Sequence, residues 1–204
     1  MNRFPALAVT GGVGCGKSEV GRILAELGVE ILDADAVSHD LLKCDGDARN
    51  AVLSLFGAGV VNSQGDLDRK RIAAHVFADE KMRVALEAIL HPRIWSVICD
   101  WREEKRSSGP SAALIPLLYE AGLAEGWDSI WCVAASDEVV NERLRERGWS
   151  SEHIEQRRRA QWSLKEKVKR ADVVIQNDGS REALRATVLE SWNQFVKRSR
   201  DHGG

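Results

Sequence analysis

Gly11-Gly12-Val13-Gly14-Cys15-Gly16-Lys17-Ser18 follows the apolar run Ala6-Leu7-Ala8-Val9-Thr10 and precedes Val20, Ile23, Leu24 and Leu27 at helical spacing. The stretch fits G-x-x-x-x-G-K-[ST], a phosphate-binding loop set between a buried strand and a helix. The residue types follow from the ligand. A polyphosphate has to be wrapped by backbone N–H groups, and only glycines let the main chain turn so sharply and come so close. Lys17 supplies a point charge to the β and γ phosphates, Ser18 offers a hydroxyl to Mg²⁺, and the following helix turns its positive end to the anion.

Outward from the loop, Gly28 reads as a helix stop and Glu30-Ile31-Leu32 as a second strand ending at Asp33-Ala34-Asp35. In an open parallel sheet, ligands gather at the carboxyl ends of strands, so both aspartates fall where a substrate belongs. Asp35 serves equally well as the N-cap of a helix carrying Ala36, Val37, Leu41 and Leu42. From Asp47 to about Arg106 the pattern is helical with breaks at Gly57-Ala58-Gly59 and Ser63-Gln64-Gly65, too long for an ordinary crossover. This reads as an inserted helical subdomain. His91-Pro92 interrupts it, with His91 a packing or capping residue on pattern alone, and Arg106 to Ser111 reads as a loop.

Ala112 to Leu118 reads as a strand that ends or kinks at Pro116 and leaves Tyr119 and Glu120 at the rim. Ser129 to Ala134 is a fourth strand, Asp137 to Arg147 a helix, and Ser150 to Arg170 a helical pair or one long helix. Val173 to Gln176 is a fifth strand, and an amphipathic helix from Ser180 to about Lys197 closes the pattern. Strands alternating with helices predict an α/β fold: a parallel five-stranded sheet with helices on both faces.

The 204 residues suit one domain: a core at about 1–35, 110–140 and 171–200, the helical insertion at about 36–108 and a lid at about 141–170. No apolar run approaches the ~20 residues needed to span a bilayer, no secretion signal is evident at the N-terminus, and no membrane role is expected. Cys15, Cys44, Cys99 and Cys132 are widely spaced, which reads as reduced thiols in the cytoplasm. A net charge of −2 argues against a nucleic-acid coat. Arg143 to Arg170 holds ten Lys or Arg against four Asp or Glu, read first as a solvated face and second as a surface toward phosphates.

A phosphate loop alone serves kinases, motors and switches. Here it comes with an acidic pair after the second strand, a helical insertion and a late basic segment, the parts of a small-molecule kinase. The chain then resembles the dephospho-coenzyme A kinase family in Thr10 to Ser18, Asp33-Ala34-Asp35, Gly65 to Arg69 and Val76-Phe77. The match continues through Leu86 to Pro92, Ile115 to Glu120, Arg157 to Gln161, and Ala171-Asp172 with Asn177. The resemblance implies the P-loop NTPase type of fold and an enzyme, a transferase that moves the γ-phosphoryl of ATP, with Mg²⁺, to the ribose 3′-hydroxyl of dephospho-CoA.

Carried over by residue, the resemblance implies Asp35 as base or orienting acceptor for that hydroxyl, with Asp33 as its alternative or as a group near the metal. Gly12, Val13, Gly14, Cys15, Gly16, Lys17, Ser18 and Glu19 would hold the nucleotide. Arg143 and Arg147 first, and Arg157 next, would close over ATP from the lid. His91, Leu117, Leu118 and Glu120 would face the acceptor. Glu19 stands where the family usually has Thr and puts an anion beside an anion; Cys15 stands for a more usual Ser, and its place at a helix N-terminus suggests a lowered thiol pKa. The competing readings are another small-molecule kinase, a nucleotide-binding regulator without turnover, and a binder of nucleic acid through the basic segment. A monomer or weak homo-oligomer is expected.

Overall fold

The computed structural model describes residues 3–201. It divides into two compact units, one taking in the chain up to Asp33 and again from Trp101, the other Ala34–Asp100.

The first unit is built on a five-stranded parallel sheet. Its strands are β1 (Ala6–Gly11), β2 (Glu30–Asp33), β3 (Ser111–Leu114), β4 (Ser129–Ala134) and β5 (Val173–Gln176), in the order β2-β3-β1-β4-β5. Every residue of β1 is buried, as only a strand covered on both faces can be. In register, Leu7, Val9 and Gly11 lie opposite Ser129, Trp131 and Val133. Helices α1 (Lys17–Glu26) and α9 (Arg181–Asp201) pack on each other, and α8 (Leu164–Arg170) packs on β1 and β4. Leu7, Val9, Ile23, Leu24, Trp131 and Ile175 are almost fully buried and make the centre of the core.

At the amino ends of the strands two carboxylates act as clasps. Asp128 accepts from the Ala6 N–H at 2.7 Å and from Arg106 Nη1 at 2.7 Å, and Asp172 accepts from the Ile130 N–H at 2.7 Å. The segment predicted as a helical pair or one helix is a pair, α7 (Ser151–Arg159) and α8, each opened by a serine cap, Ser150 or Ser163.

The second unit holds α2 (Ala34–Cys44), α3 (Gly46–Phe56), α4 (Arg69–Ala78) and the first part of α5 (Glu80–Ser108) around Val52, Val60 and Ile72. Asp45 and Asp68 cap α3 and α4. Two expectations fail here. Helix α5 runs through His91-Pro92 without interruption; the proline lacks only the N–H that would have met the Ala88 carbonyl, while Arg93 Nη1 adds a bond to the Ile89 carbonyl at 2.8 Å. The loop expected from Arg106 to Ser111 shrinks to Gly109-Pro110, because buried Arg106 bonds to Asp128 and the Gly126 carbonyl and holds the last turns of α5 in place. The third strand also stops at Leu114, ahead of Pro116.

Candidate functional site

The loop begins where β1 ends. Gly11 has φ 147°, and a Cβ there would run into the Val133 backbone, so β1 approaches β4 closely at the start of the turn. Gly16, at φ 100°, takes the N-cap position of α1 without a side-chain cap, leaving the first N–H groups of the helix to the loop's concave side. A Cβ on Gly16 would drive into the Asn177 side chain. Lys17 folds over the turn, with Nζ donating to the carbonyls of Gly11 at 3.0 Å and Gly12 at 2.9 Å. Ser18 is exposed at the start of α1.

Asn177, just past β5, ties this loop to the rest of the site. Its Nδ2 donates to the Cys15 carbonyl at 2.8 Å, and its Oδ1 accepts from Arg143 Nη2 at 3.4 Å. Arg143 lies on α6 (Asp137–Glu146), whose Val140 and Leu144 pack against Gly14. Among the described residues, Nη1 of Arg143 is a buried donor without an acceptor, which makes it a group with charge to give to an incoming anion. Asp178 fixes the start of α6 by accepting from the Ser136 N–H at 2.6 Å; bonds from Gln176 and from that N–H hold its carboxyl below the usual range. Beside the loop, a cavity of about 420 Å³ is lined by Val13, Cys15, Val140, Arg158, Trp162 and Leu164.

The two departures from the usual loop sequence come out differently. Glu19 turns along α1 to Arg22, with Oε1 2.6 Å from Nη2, and this pairing lowers its pKa. Cys15 is only 2% exposed, and burial pushes its thiol up despite Lys17, against the lowered value its helix-end position suggested. Desolvation outweighs the helix end because the Sγ atom lies inside the core, not at the loop's surface.

Asp33 ends β2 in the first unit; Asp35, in the first turn of α2, and His91, inside α5, belong to the second. Arg147 is exposed at the C-cap of α6. Arg157 is exposed with its guanidinium 5.4 Å from the Trp149 ring, which stacks on His153 at 4.5 Å. Leu117 is half-buried, whereas Leu118 is wholly buried and packs in the core. Glu120 Oε1 meets Lys167 Nζ at 2.8 Å and accepts the Trp162 N–H at 2.7 Å.

Sequence reasoning passed over Asn177 as a functional group and placed Lys167 in a basic surface segment. Lys167 is 0% exposed and also donates to the Pro116 carbonyl at 2.6 Å. The signal for its burial was its place three residues after Leu164, which puts the two side chains on one face of α8.

The family model described as dephospho-CoA kinase matches residues 6–183. A Geobacillus kaustophilus dephospho-CoA kinase is 36% identical over 197 residues, covering 94% of this chain and 98% of that one. A Carboxydothermus hydrogenoformans dephospho-CoA kinase is 39% identical, covering 93% and 95%. A crystal structure of a Thermus thermophilus protein, 34% identical, superposes with a TM-score of 0.78 over 94% of this chain and 98% of its own. With a loop, a sheet order and relatives that coincide over nearly its whole length, the chain belongs to the dephospho-CoA kinase family.

Proposed function

We propose that the protein transfers the γ-phosphoryl group of ATP to the ribose 3′-hydroxyl of dephospho-CoA, giving CoA and ADP, the last step of coenzyme A synthesis. The observation that carries the reading is the set Cys15–Asn177–Arg143, which holds a cation with a buried unsatisfied donor beside a phosphate loop. In such a transfer the protein makes little covalent chemistry, and alignment and charge stabilisation dominate.

The loop amides and Lys17 receive the β and γ phosphates. Asp35, or Asp33 in its place, orients the ribose hydroxyl and takes its proton as the oxygen attacks phosphorus; the bond to the β–γ bridging oxygen breaks, and ADP leaves. Arg143 offsets the charge that spreads over the phosphoryl oxygens. Arg147 and Arg157 complete the cover when residues 141–170 close over ATP, which keeps water from competing with the ribose. His91, Leu117 and Glu120 would contact the acceptor, while Leu118, wholly buried, serves the core instead.

A magnesium ion fits the donor set. The described residues offer no group of three or more His, Cys, Asp or Glu side chains for a metal cage. One hydroxyl from Ser18, with Asp33 acting through a bound water, suits an ion that keeps most of its ligands from phosphates and water. When bound, it neutralises phosphate charge. Glu19, which favoured a non-catalytic nucleotide binder, has its carboxylate turned to Arg22, so that reading loses its motive. No described helix is long and apolar enough to cross a membrane, and all four cysteines are free thiols. We infer a cytoplasmic enzyme, monomeric or weakly self-associating, with no nucleic-acid partner.

The test is ADP formation by the purified protein with Mg²⁺-ATP, with and without dephospho-CoA. Acceptor-dependent turnover yielding a product heavier by one phosphoryl group is expected. ATP binding without transfer to dephospho-CoA would remove the proposal.

A further inference from the structure

Asp35, His39 and Lys43 recur every fourth residue along α2, which sets them on one face of the helix. Part of that face borders a cavity of about 360 Å³ inside the helical unit, lined also by Arg49, Arg69 and Asp66. The two guanidiniums are anchored on a backbone carbonyl and an imidazole nitrogen. Arg49 Nη2 donates to the Gly65 carbonyl at 2.6 Å, and Arg69 Nη1 lies 3.0 Å from His39 Nδ1.

Among the described residues no carboxylate pairs with Lys43, Arg49 or Arg69, whereas Arg71 and Arg93 in the same unit pair with Asp68 and Asp45. Three cations and a single exposed carboxylate, Asp66, therefore share one cavity, with two of the cations already oriented. Cations held in place without a carboxylate keep their charge for an outside anion, and little side-chain order is lost when it arrives. The Leu42 and Leu67 side chains add an apolar wall, as suits a phosphate group that continues into an organic chain.

The spacing along α2 fits one molecule. At 1.5 Å rise per residue, His39 and Lys43 stand about 6 and 12 Å beyond Asp35 along the axis. A ribose whose 3′-hydroxyl is at Asp35 carries its 5′-diphosphate a few bonds away, within that span. We propose that the cavity of His39, Lys43, Arg49 and Arg69 is the diphosphate subsite for the acceptor. The assignment rests on the acceptor proposed above, and it makes the diphosphate a recognition element that separates this acceptor from sugars lacking one.

The experiment is steady-state kinetics and calorimetric titration of dephospho-CoA with wild type, Lys43→Gln, Arg49→Gln and the double variant. Loss of each cation is expected to raise KM and Kd for dephospho-CoA about tenfold, as for loss of one charge-assisted hydrogen bond, with KM for ATP unmoved. Lys43 is exposed, so its variant stays informative even where Arg49→Gln loosens the turn at Gly65. Unchanged dephospho-CoA binding by folded variants would overturn the subsite while leaving the function intact. Wild type that phosphorylates no dephospho-CoA would sink both readings. Inorganic pyrophosphate serves as the second probe: it is expected to compete with dephospho-CoA and to lose affinity in the variants. Pyrophosphate binding that depends on Arg49 yet does not compete would assign the cavity to a separate phosphate effector and overturn the acceptor assignment.

Discussion

The Asn177 amide donates to the Cys15 carbonyl at 2.8 Å across 162 positions of sequence, so the residue after the last strand sets the shape of the turn after the first. The same amide's oxygen accepts from Arg143. Asn177→Ala leaves a buried carbonyl unmatched, at a cost of about 1–3 kcal/mol in stability, and releases Arg143. Activity is expected to fall further than this destabilisation explains, with kcat and KM for ATP both affected. Asn177→Asp keeps an acceptor for Arg143 but places a carboxylate against the Cys15 carbonyl, and we expect it to be worse for ATP binding than Asn177→Ala. Stopped turnover in both variants with unaltered nucleotide titration would show that Asn177 does not shape the loop.

Arg143 enters through a different quantity. Its Nη1 is buried and unsatisfied among the described residues, a cost of folding that an anion at the site offsets. Arg143→Ala is expected to lower kcat by about 10³–10⁵, or roughly 4–7 kcal/mol of barrier, with a much smaller change in ATP affinity. Arg143→Lys should recover little, because a point charge cannot reach Asn177 and a phosphoryl oxygen together. Steady-state rates with kcat unchanged would take Arg143 out of the mechanism.

The strand, loop and helix from Ala6 to Leu27 were legible because each signal is local: an apolar run, a glycine pattern, then helical spacing. The strands β4 and β5 were legible for the same reason. The long-range partners were not. Asn177 reads as a polar residue after a strand until Cys15 is folded against it, and Lys167 reads as one of ten cations until Glu120 is opposite. The continuity of α5 through Pro92 was hidden because the rule that proline breaks helices counts the lost bond but not the turns on either side. The thiol of Cys15 was misjudged because its helix-end position is visible in sequence and its burial is not.

That burial predicts chemistry. With Cys15 2% exposed and its pKa raised, it is expected to be unreactive in the folded protein at pH 7–8, where exposed Cys44 reacts first. Timed thiol labelling followed by peptide mass analysis reads the order directly. Labelling of Cys15 ahead of Cys44 would contradict the burial, and peroxide should leave activity largely intact over the time in which Cys44 oxidises.

Tyr119 is the chain's single tyrosine, stacked on Trp162 at 5.8 Å, and burial, with Cys132 and Asp172 adding, pushes its phenol from 10 up to about 12. The folded chain therefore holds this proton through a window in which the unfolded chain has released it. Its contribution to stability is whole below pH 10 and is lost as pH climbs through about 12. Ultraviolet titration of phenolate absorbance sees this one group alone. A native-state midpoint near 10 would show the ring to be open to water, whereas one near 12, falling to about 10 in denaturant, is expected.

The two ends of the buried pair of Lys167 and Glu120 belong to different parts of the chain, one after β3 and one on α8. Glu120 stands at the rim after β3 and accepts the Trp162 N–H, while Lys167 on α8 also holds the Pro116 carbonyl. Glu120 further has a buried Oε2 without a partner among the described residues, so removing Lys167 strands a carboxylate that has little other compensation. Lys167→Met is expected to cost about 3–5 kcal/mol, the usual penalty for leaving one member of a buried pair. Glu120→Gln combined with Lys167→Met removes both charges and should restore part of that loss, in a double-mutant cycle read by denaturant unfolding. If the pair also positions the turn from Gln161 to Ser163, the restored double variant regains stability without regaining kcat, since Trp162 then meets an amide in place of a charged acceptor. Equal recovery of stability and kcat would limit the pair to holding the fold.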